Sequence, residues 1–335
     1  MNEFIKNLPK AELHVHFDGT LTPEHFLTLA ERNKVKVPYS TIEEVQKAWS
    51  TNLPKTFYEL YNITTLVLRK ERDFYEVMQS YLERAVDQGV KHAEIFFDTQ
   101  TYTARGIPAK SVINPLYEAL QDAKIMHNIT GGLILCFLRH LPEQHALQDL
   151  HDALPYKGKI IAVGLAANEV NNPPSKFARV FAQAKAHGFY LTAHAGERSG
   201  PESIRELIDI LHVDRVDHGI RCMEDPGLVK QLLALHMPLT VCPLSNVALG
   251  VVPSLEAHPL KQMLTAGLSV SINSDDPSYF GGYIADNFEE VFDHGGLTIE
   301  DLVTCAENSF KGAFCSPELK EKYLKELREF VKKGI

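Results

Sequence analysis

Four short segments, spread from Glu12 to Pro277, each carry a side chain that can bind a metal ion at the end of a predicted strand. The segments are Glu12-Leu-His14-Val-His16, Thr192-Ala-His194-Ala-Gly-Glu197, Val216-Asp-His218-Gly and Asn273-Ser-Asp275-Asp276-Pro277. Two histidines separated by one residue on a strand point to the same face, because side chains alternate with period two. A third imidazole and a carboxylate from distant segments would complete a catalytic zinc site with room for water. The pattern predicts metal-assisted hydrolysis.

The same segments offer groups for proton transfer. Glu197 lies three residues past His194, near the metal without having to bind it, and a carboxyl group between barrel walls could have a raised pKa and act as a general acid. The alternative is a glutamate that satisfies backbone donors at a helix N-terminus. His218 suits a neutral imidazole that holds or deprotonates a metal-bound water. Asp275 and Asp276 cannot point the same way, so one can face the metal and the other the substrate; a solvated turn before Pro277 is the alternative.

These residues need a scaffold that brings distant strand ends together. Short β-branched runs alternate with amphipathic helical segments, and the alternation predicts a single α/β domain, a (β/α)8 TIM-type barrel over residues 1–335. The predicted strands are Ala11–His16, His92–Asp98, Gly132–Leu138, Lys159–Leu165, Tyr190–His194, Arg215–His218, Leu239–Cys242 and Ser269–Asn273. An open doubly wound sheet also has such strands, but only barrel closure brings strand 1 beside strand 8, as a metal shared by His16 and Asp275 requires.

Two further segments lie outside this alternation. Residues 40–70 form a long insertion after strand 1, for which an active-site lid and a packing helix pair are equally compatible with the sequence. The charged, helical segment Pro317–Lys333 is expected to pack outside the barrel.

Composition excludes several classes of function. The formal net charge of −9 and a pI near 5.9 argue against a nucleic-acid partner, which would need a basic face. We expect no signal peptide and no membrane span, because no long apolar run occurs. The five cysteines form no Cys-x-x-Cys pair, which favours reduced thiols in a cytoplasmic protein. The sequence leaves the oligomeric state open.

Two absences narrow the chemistry. The cytidine-deaminase type of zinc site needs Pro-Cys-x-x-Cys, whereas this chain has Cys242-Pro243 without a partner. A phosphotriesterase- or dihydroorotase-like barrel should carry a lysine on strand 4 to bridge two metals, but the only lysine of that strand, Lys159, stands at its start. One metal ion is therefore expected. A non-catalytic barrel that only binds a small ligand or a metal would not need Glu197 or His218.

The combined motifs resemble the adenosine/adenine deaminase family of the amidohydrolase superfamily, from Leu8 to about Phe314. The matching stretches are Leu8-Pro-Lys-Ala-Glu-Leu-His-Val-His16, His194-Ala-Gly-Glu197, Asp217-His218-Gly219, Cys242-Pro-Leu-Ser-Asn246 and Asn273-Ser-Asp-Asp-Pro277. Within the family the chain is more similar to the adenine branch, because Cys242-Pro-Leu-Ser-Asn246 replaces the Cys-Pro-Thr-Ser-Asn usual in adenosine deaminases.

The resemblance implies a function and a set of roles. It implies zinc-dependent hydrolytic deamination of adenine to hypoxanthine and ammonia in purine salvage, with a small purine as partner. It also implies a role for each site residue: Glu197 protonates the purine N1, His218 helps to activate water, Asp276 bonds the N7 side, and one Zn²⁺ is held by His14, His16, His194 and Asp275.

One stretch departs from the adenine branch, which usually reads Gly-Leu-Asp-Ser-Ser-Glu after strand 4. This chain has Gly164-Leu-Ala-Ala-Asn-Glu169, so Ala166 and Ala167 replace an acid and a hydroxyl. Adenosine and an adenine with an apolar N6 substituent therefore stay open as alternative substrates. Glu169 itself is expected to accept a hydrogen bond from N9–H of the free base and so to select adenine over adenosine.

Overall fold

Eight parallel strands follow one another around a barrel in sequence order. They come from a computed structural model that describes residues 2–334. The strands are β1 Lys10–His16, β2 Val90–Phe97, β3 Thr130–Leu138, β4 Ile160–Ala166, β5 Tyr190–Ala195, β6 Arg215–His218, β7 Pro238–Val241 and β8 Ser269–Ile272. Each overlaps a predicted strand, and the predicted (β/α)8 fold is confirmed. Because all strands run parallel, their carboxyl ends form one rim, where barrel enzymes carry their chemistry.

Helices surround the barrel and cover its outer face. They are α1 Glu3–Asn7, α2 Pro23–Arg32, α3 Ile42–Trp49, α4 Leu53–Thr65, α5 Glu71–Asp87, α6 Gln100–Thr103, α7 Lys110–His127, α8 Glu143–Ala153, α9 Ala178–Ala186, α10 Pro201–Glu206, α11 Pro226–Leu235, α12 Pro243–Ala248, α13 Leu260–Thr265, α14 Pro277–Phe280, α15 Ile284–Asp293, α16 Ile299–Gly312 and α17 Pro317–Gly334. Short 3-10 turns span Asp18–Thr20, Leu154–Lys159, Pro174–Phe177 and Ile220–Glu224, and a π turn spans Leu207–Leu211.

Helix α5 shows how local sequence sets an element. Phe74, Val77 and Met78 recur at helical spacing and are fully buried, so one apolar stripe faces the core. Its N-terminus is closed by the buried carboxylate of Asp73, whose Oδ2 accepts the backbone N–H groups of Arg69 at 3.0 Å and Lys70 at 2.9 Å. The bond from Lys70 is the reverse half of a capping box, in which the third helical residue accepts the N–H of the N-cap residue.

The insertion after β1 forms a helix pair, α3 and α4, as one of the two sequence interpretations predicted. Thr41 and Glu44 form a capping box at the start of α3. Phe57 and Tyr61 of α4 point into the pocket described below. The predicted C-terminal helix is α17, which packs outside the barrel with Tyr323 stacked on Phe310 at a ring separation of 5.3 Å.

At two seams beside the predicted site residues, neighbouring strands are not joined by a full ladder. At the first, the β8–β1 seam, the strand bridge seen within residues 2–334 joins only Val15 and Asp275. Below this bridge, side chains accept two N–H groups of β1: Leu13 N donates to Asn273 Oδ1 at 2.8 Å and Ala11 N to Ser309 Oγ at 2.9 Å. Buried backbone donors thus stay paired.

At the second place, the β4–β5 seam, pairing ends at Val163 with Leu191. Beyond that pair no further ladder pair joins β4 to β5 in the described chain, although β4 stays paired with β3 and β5 with β6. At the rim, buried side chains join β5 and the turn after it to the segment that follows β4.

Among residues 2–334, no helix is both long and apolar enough to cross a membrane. All five cysteines are free thiols. The assignment of residues 1–335 to a single domain stays a prediction, as does a cytoplasmic location.

Candidate active site

The four predicted metal ligands meet at the carboxyl-terminal rim of the barrel. His14 and His16 end β1, His194 lies in β5, and Asp275 follows β8. Asp275 Oδ1 lies 3.4 Å from Nε2 of His14 and of His16, and the Nε2 atoms of His16 and His194 are 3.0 Å apart. Strands that are far apart in sequence therefore bring nitrogen and oxygen donors to one point.

His218, at the end of β6, lies in the same cluster. Two overlapping groups of donor atoms each fall within 4.8 Å: one of His14, His194, His218 and Asp275, the other of His16, Asp275 and Asp276. Asp275 belongs to both groups and lies at the centre. Proximity alone does not divide these residues into ligands and a base, so that division stays a prediction.

The hydrogen bonding and the lowered pKa values of His14 and His16 suit ligands of a metal ion. Nδ1 of His14 lies 3.0 Å from Thr240 Oγ1, whereas its buried Nε2 has no hydrogen-bond partner among residues 2–334. Burial lowers the pKa of His14 to about 4, and burial also holds the pKa of His16 well below its usual range. Neutral imidazoles with lone pairs converging beside a carboxylate are the donors that zinc and similar divalent ions prefer.

A buried carboxylate behind the cluster orients two of the imidazoles. Asp217 Oδ2 lies 3.5 Å from His194 Nδ1, and Asp217 Oδ1 accepts a hydrogen bond from Thr240, the partner of His14, at 3.1 Å. Although burial opposes it, the negative charge of the nearby Asp217 raises the pKa of His194. Carboxylates in this position fix the tautomer and direction of metal-binding histidines. Sequence reasoning assigned no such role to Asp217 or Thr240, because only the β5–β6–β7 pairing brings them behind the histidines.

Three rim residues other than glycine adopt left-handed backbone conformations. Ala167 after β4, His218 and Asp275 have φ values of 73°, 65° and 65°. Such conformations are uncommon for residues with a Cβ and gather at functional sites, where the surrounding structure enforces them. Here they turn the chain sharply at the strand ends, and Asp275 directs its carboxylate inward, where Oδ2 accepts a hydrogen bond from Ser245 Oγ at 2.7 Å.

Glu197 is half-buried beside the cluster. Its Oε1 is enclosed and accepts no hydrogen bond from residues 2–334. Burial raises the pKa of this carboxyl group, and the charge of Asp275 adds to the effect. A raised pKa favours the protonated form of the carboxyl group, which is the form that can act as a general acid.

A cavity of about 400 Å³ opens above the cluster, within the range of small-molecule sites. Asp276 lies in its wall with Oδ1 unpartnered, and burial together with the charge of Asp275 raises its pKa well above the usual range. Gly19 allows this approach, because a Cβ there would lie 2.5 Å from the Cα of Asp276.

The walls of the cavity differ in polarity. The side formed by β8, β1 and β2 presents Asp276, Asp18 and Asp98, whereas the side formed by β3 and β4 is largely apolar, with residues such as Cys136, Leu138, Ala166 and Ala167. Burial and the charge of Asp18 raise the pKa of Asp98 to about 7. Tyr61 of α4 donates to Asp18 Oδ2 at 2.8 Å. We did not single out Asp18 or Asp98 from the sequence, although Asp98 ends a predicted strand on the same rim.

The expectation for Glu169 is wrong. This residue is only 4% exposed, does not line the cavity, and uses both carboxylate oxygens within the protein. Oε1 accepts Gly196 N at 2.8 Å, and Oε2 accepts Arg198 N at 2.7 Å. An oxygen occupied in this way cannot serve as the acceptor for N9–H of a purine. The remaining predicted site residues line the cavity or lie in the cluster beneath it.

Comparisons with known proteins agree with this architecture. The sequence profile of the adenosine deaminase family matches residues 9–330. An adenine deaminase from Albidiferax ferrireducens is 47% identical, with 97% of this chain and 94% of the relative covered. One from Acinetobacter baylyi is 46% identical, with 98% and 99% covered.

Two solved structures are also similar. The crystal structure of an adenine deaminase from Arthrobacter aurescens has a TM-score of 0.94 at 44% identity and covers 97% of this chain and 99% of its own. An amidohydrolase from Burkholderia ambifaria, solved with bound zinc, has a TM-score of 0.90 at 28% identity and covers 98% and 93%.

Proposed function

Because this chain belongs to the adenosine deaminase family, we propose that it uses one zinc ion to hydrolyse adenine to hypoxanthine and ammonia. Family membership identifies a hydrolytic deaminase; the free base as substrate, the zinc ion and the products are the proposal. The observation that carries it is the position of an enclosed, unpartnered Glu197 oxygen beside a cluster of histidine and aspartate donors, at the base of one cavity. Relatives at 46% and 47% identity named adenine deaminase support the choice of adenine.

In this proposal the metal is held by His14, His16, His194 and Asp275. A bound zinc ion supplies Lewis acidity that makes water a nucleophile at neutral pH. The orphaned Nε2 of His14 and the facing Nε2 atoms of His16 and His194 support this ligand set. His218 is left for proton transfer.

Glu197 and His218 carry out the proton transfers of the reaction. Glu197 gives its proton to N1, which makes C6 electrophilic, while His218 takes a proton from the water whose oxygen bonds to C6. The C6–N bond breaks as the amino group takes the proton from His218 and leaves as ammonia. The hydroxyl proton left on C6 returns to the Glu197 carboxylate, so the enzyme is restored and hypoxanthine keeps the proton on N1.

Asp276 orients the purine ring. Burial and the charge of Asp275 raise its pKa and so favour the protonated carboxyl group, which is the form that can donate to N7, an acceptor in adenine. The planar ring then has carboxyl groups along one edge and the apolar β3–β4 wall along the other. No basic face is needed for such a ligand, in keeping with the net charge of −9.

An adenine with a small apolar N6 substituent is a second candidate, and adenosine stays open as a third. Ala166 and Ala167 both line the cavity, so methyl groups stand where the adenine branch usually has an acid and a hydroxyl. A cavity of about 400 Å³ has room beyond a free base, so volume by itself does not select among the three.

The test is amine release by the purified, zinc-loaded chain from adenine, adenosine and N6-methyladenine, with zinc measured by elemental analysis. We expect one zinc per chain and the highest kcat/KM for adenine. If kcat/KM is higher for N6-methyladenine or for adenosine, that compound and not adenine is the preferred substrate. Purine binding without turnover of any of the three, by zinc-loaded protein, would make the chain a non-catalytic binding barrel.

A further inference from the structure

Both carboxylate oxygens of Glu169 hold the turn that carries Glu197. Glu169 lies just after β4, and the turn runs from the end of β5 to the start of α10. The carboxylate receives five hydrogen bonds: to Oε1 from Gly196 N at 2.8 Å and Ser203 Oγ at 2.7 Å, and to Oε2 from Glu197 N at 3.2 Å, Arg198 N at 2.7 Å and Ser199 N at 3.0 Å. Four consecutive backbone donors therefore converge on one buried anion.

Resting on the proposed function, we propose that Glu169 is a positioning residue that fixes the direction of the Glu197 carboxyl group. Successive backbone N–H groups that point to one side of a turn form a concave site for an anion. Bonds to a charged acceptor are about twice as strong as neutral ones. In this protein the anion in that concave site is the carboxylate of Glu169 itself.

The N–H groups of the turn need an acceptor because no neighbouring strand pairs with residues 196–199. Pairing between β4 and β5 ends at Val163 and Leu191, well short of residues 196–199. Gly196 starts the turn with a φ of 65°, and a Cβ at this position would lie 2.3 Å from Ile204 Cδ1. The sharp turn exposes four N–H groups at once, and Glu169 is the group that pairs with them.

A positively charged side chain adds a second link between β5 and the segment after β4. Arg139, which is fully buried, donates from Nη1 to the backbone oxygen of His194 at 2.7 Å. Its Nε and Nη2 donate to the backbone oxygen of Asn172 at 2.9 and 2.7 Å. The segment after β4 thus contributes Glu169 to the N–H groups after β5, while Arg139 links the same two segments through their carbonyl groups.

The arrangement matters for Glu197 because its enclosed oxygen has no partner of its own. No hydrogen bond from residues 2–334 reaches Glu197 Oε1, so its direction depends on where the backbone places the residue. The backbone N–H of Glu197 is one of the five donors to Glu169. A shift of about 1 Å in a reacting group can reduce a rate by roughly 10²-fold.

Glu169→Gln tests the proposal, because an amide places an NH2 group against donors that need an acceptor. Asp73→Asn is the matched control: Asp73 is also a buried carboxylate that accepts two backbone N–H groups, but it lies at the start of α5 away from the cavity. Both variants are expected to lower Tm. Only Glu169→Gln should speed hydrogen exchange of the amides of residues 196–199 and lower kcat, by about 10²-fold, with KM and zinc content nearly unchanged.

A double-mutant cycle separates positioning from general loss of structure. If Glu169 acts through Glu197, adding Glu169→Gln to Glu197→Gln should change kcat less than threefold, whereas independent effects would multiply. The cycle is run with whichever of adenine, adenosine or N6-methyladenine is turned over. If none is turned over, the proposed function fails, and the exchange data still decide whether Glu169 holds the turn. Unchanged exchange at residues 196–199, or multiplicative kinetic effects, would overturn the inference.

Discussion

The β8–β1 and β4–β5 seams of the barrel are closed at the rim in different ways. At the β8–β1 seam the backbone itself completes the rim, with His16 N donating to Asp275 O at 2.8 Å and Asp275 N to His14 O at 3.0 Å. At the β4–β5 seam the ladder stops early, and the buried side chains of Arg139 and Glu169 join the two segments instead.

The two seams also carry different predicted site residues. Three predicted metal ligands, His14, His16 and Asp275, lie on the seam closed by backbone. The predicted general acid, Glu197, lies on the seam closed by side chains. The fourth predicted ligand, His194, lies in β5 on the second seam, where its backbone oxygen accepts a hydrogen bond from Arg139. We infer that disturbing the first seam should mainly affect metal binding, whereas loss of the Glu169 contacts at the second should mainly affect proton transfer with the metal retained.

Removal of a ligand at the β8–β1 seam should have the largest effect. His16→Ala deletes one of two strand-end donors that flank Asp275, and a bound metal supplies several kcal/mol of transition-state stabilisation. We expect loss of tightly bound zinc and a decrease in kcat/KM of roughly 10³-fold or more. Elemental analysis after gel filtration and steady-state rates measure both, with exposed His151→Ala as control. Full activity in His16→Ala protein would remove His16 from the ligand set.

The acid on the β4–β5 seam comes next. Glu197→Gln keeps the shape of the side chain but has no carboxyl proton to give, so kcat should fall by about 10²–10⁴-fold. Zinc content should stay at the level of the unaltered protein. Exposed Glu202→Gln in the neighbouring helix α10 is the control. Near-normal turnover at full zinc occupancy would assign Glu197 a structural role only.

A milder change at the β8–β1 seam should weaken the metal site without touching a ligand. Asn273→Ala removes the acceptor for the buried N–H of Leu13, at a cost of about 1–3 kcal/mol. Because Leu13 precedes His14, zinc affinity should fall by about tenfold, the lower end of effects from groups behind metal ligands. Competition with a chelator measures the affinity. Ser269→Ala, at the start of β8, leaves the Asn273 side chain and the Leu13 bond intact and should retain zinc normally.

The smallest effect is expected away from both seams, at Asp149 of α8. Its Oδ2 is buried without a hydrogen-bond partner, and burial raises its pKa to about 7, compared with about 3.9 in an unfolded chain. The folded state therefore binds the proton more tightly, and the free energy of unfolding should decrease as pH rises from about 4 to about 7.

Asp149→Asn should remove that decrease. The amide oxygen can still accept the hydrogen bond from Thr99, so the variant should match the original protein near pH 4 and exceed its Tm by a few degrees near pH 8. Thermal unfolding at both pH values is the measurement. Equal Tm values at pH 8 would show that Asp149 ionises normally in the folded protein.

The sequence was most informative where chemistry and local pattern coincide. His14 and His16 could be assigned to one face of a strand because side-chain alternation is local, and the eight strands followed from short β-branched runs between helical segments. Asp275 and Asp276 were recognised as rim residues because they directly follow a predicted strand. Asp18 and Asp98 were overlooked, since one carboxylate after a strand carries no signal until its neighbours around the barrel are known.

Glu169 shows the limit of the same reasoning. Its place after β4 correctly put it near the rim, but the sequence gives no sign that the N–H groups of residues 196–199 converge on its carboxylate. Those donors belong to a turn 27 or more residues further along the chain, and their direction depends on the left-handed Gly196.

The sequence by itself determined which residues can bind a metal or move a proton, because those abilities belong to side-chain type and to spacing along one strand. Tertiary structure decided which of them face the cavity and which are taken up by the protein. The physical reason is that a buried polar group must find a partner, and for His14 Nε2 and Glu197 Oε1 none is present among residues 2–334, whereas Glu169 has five.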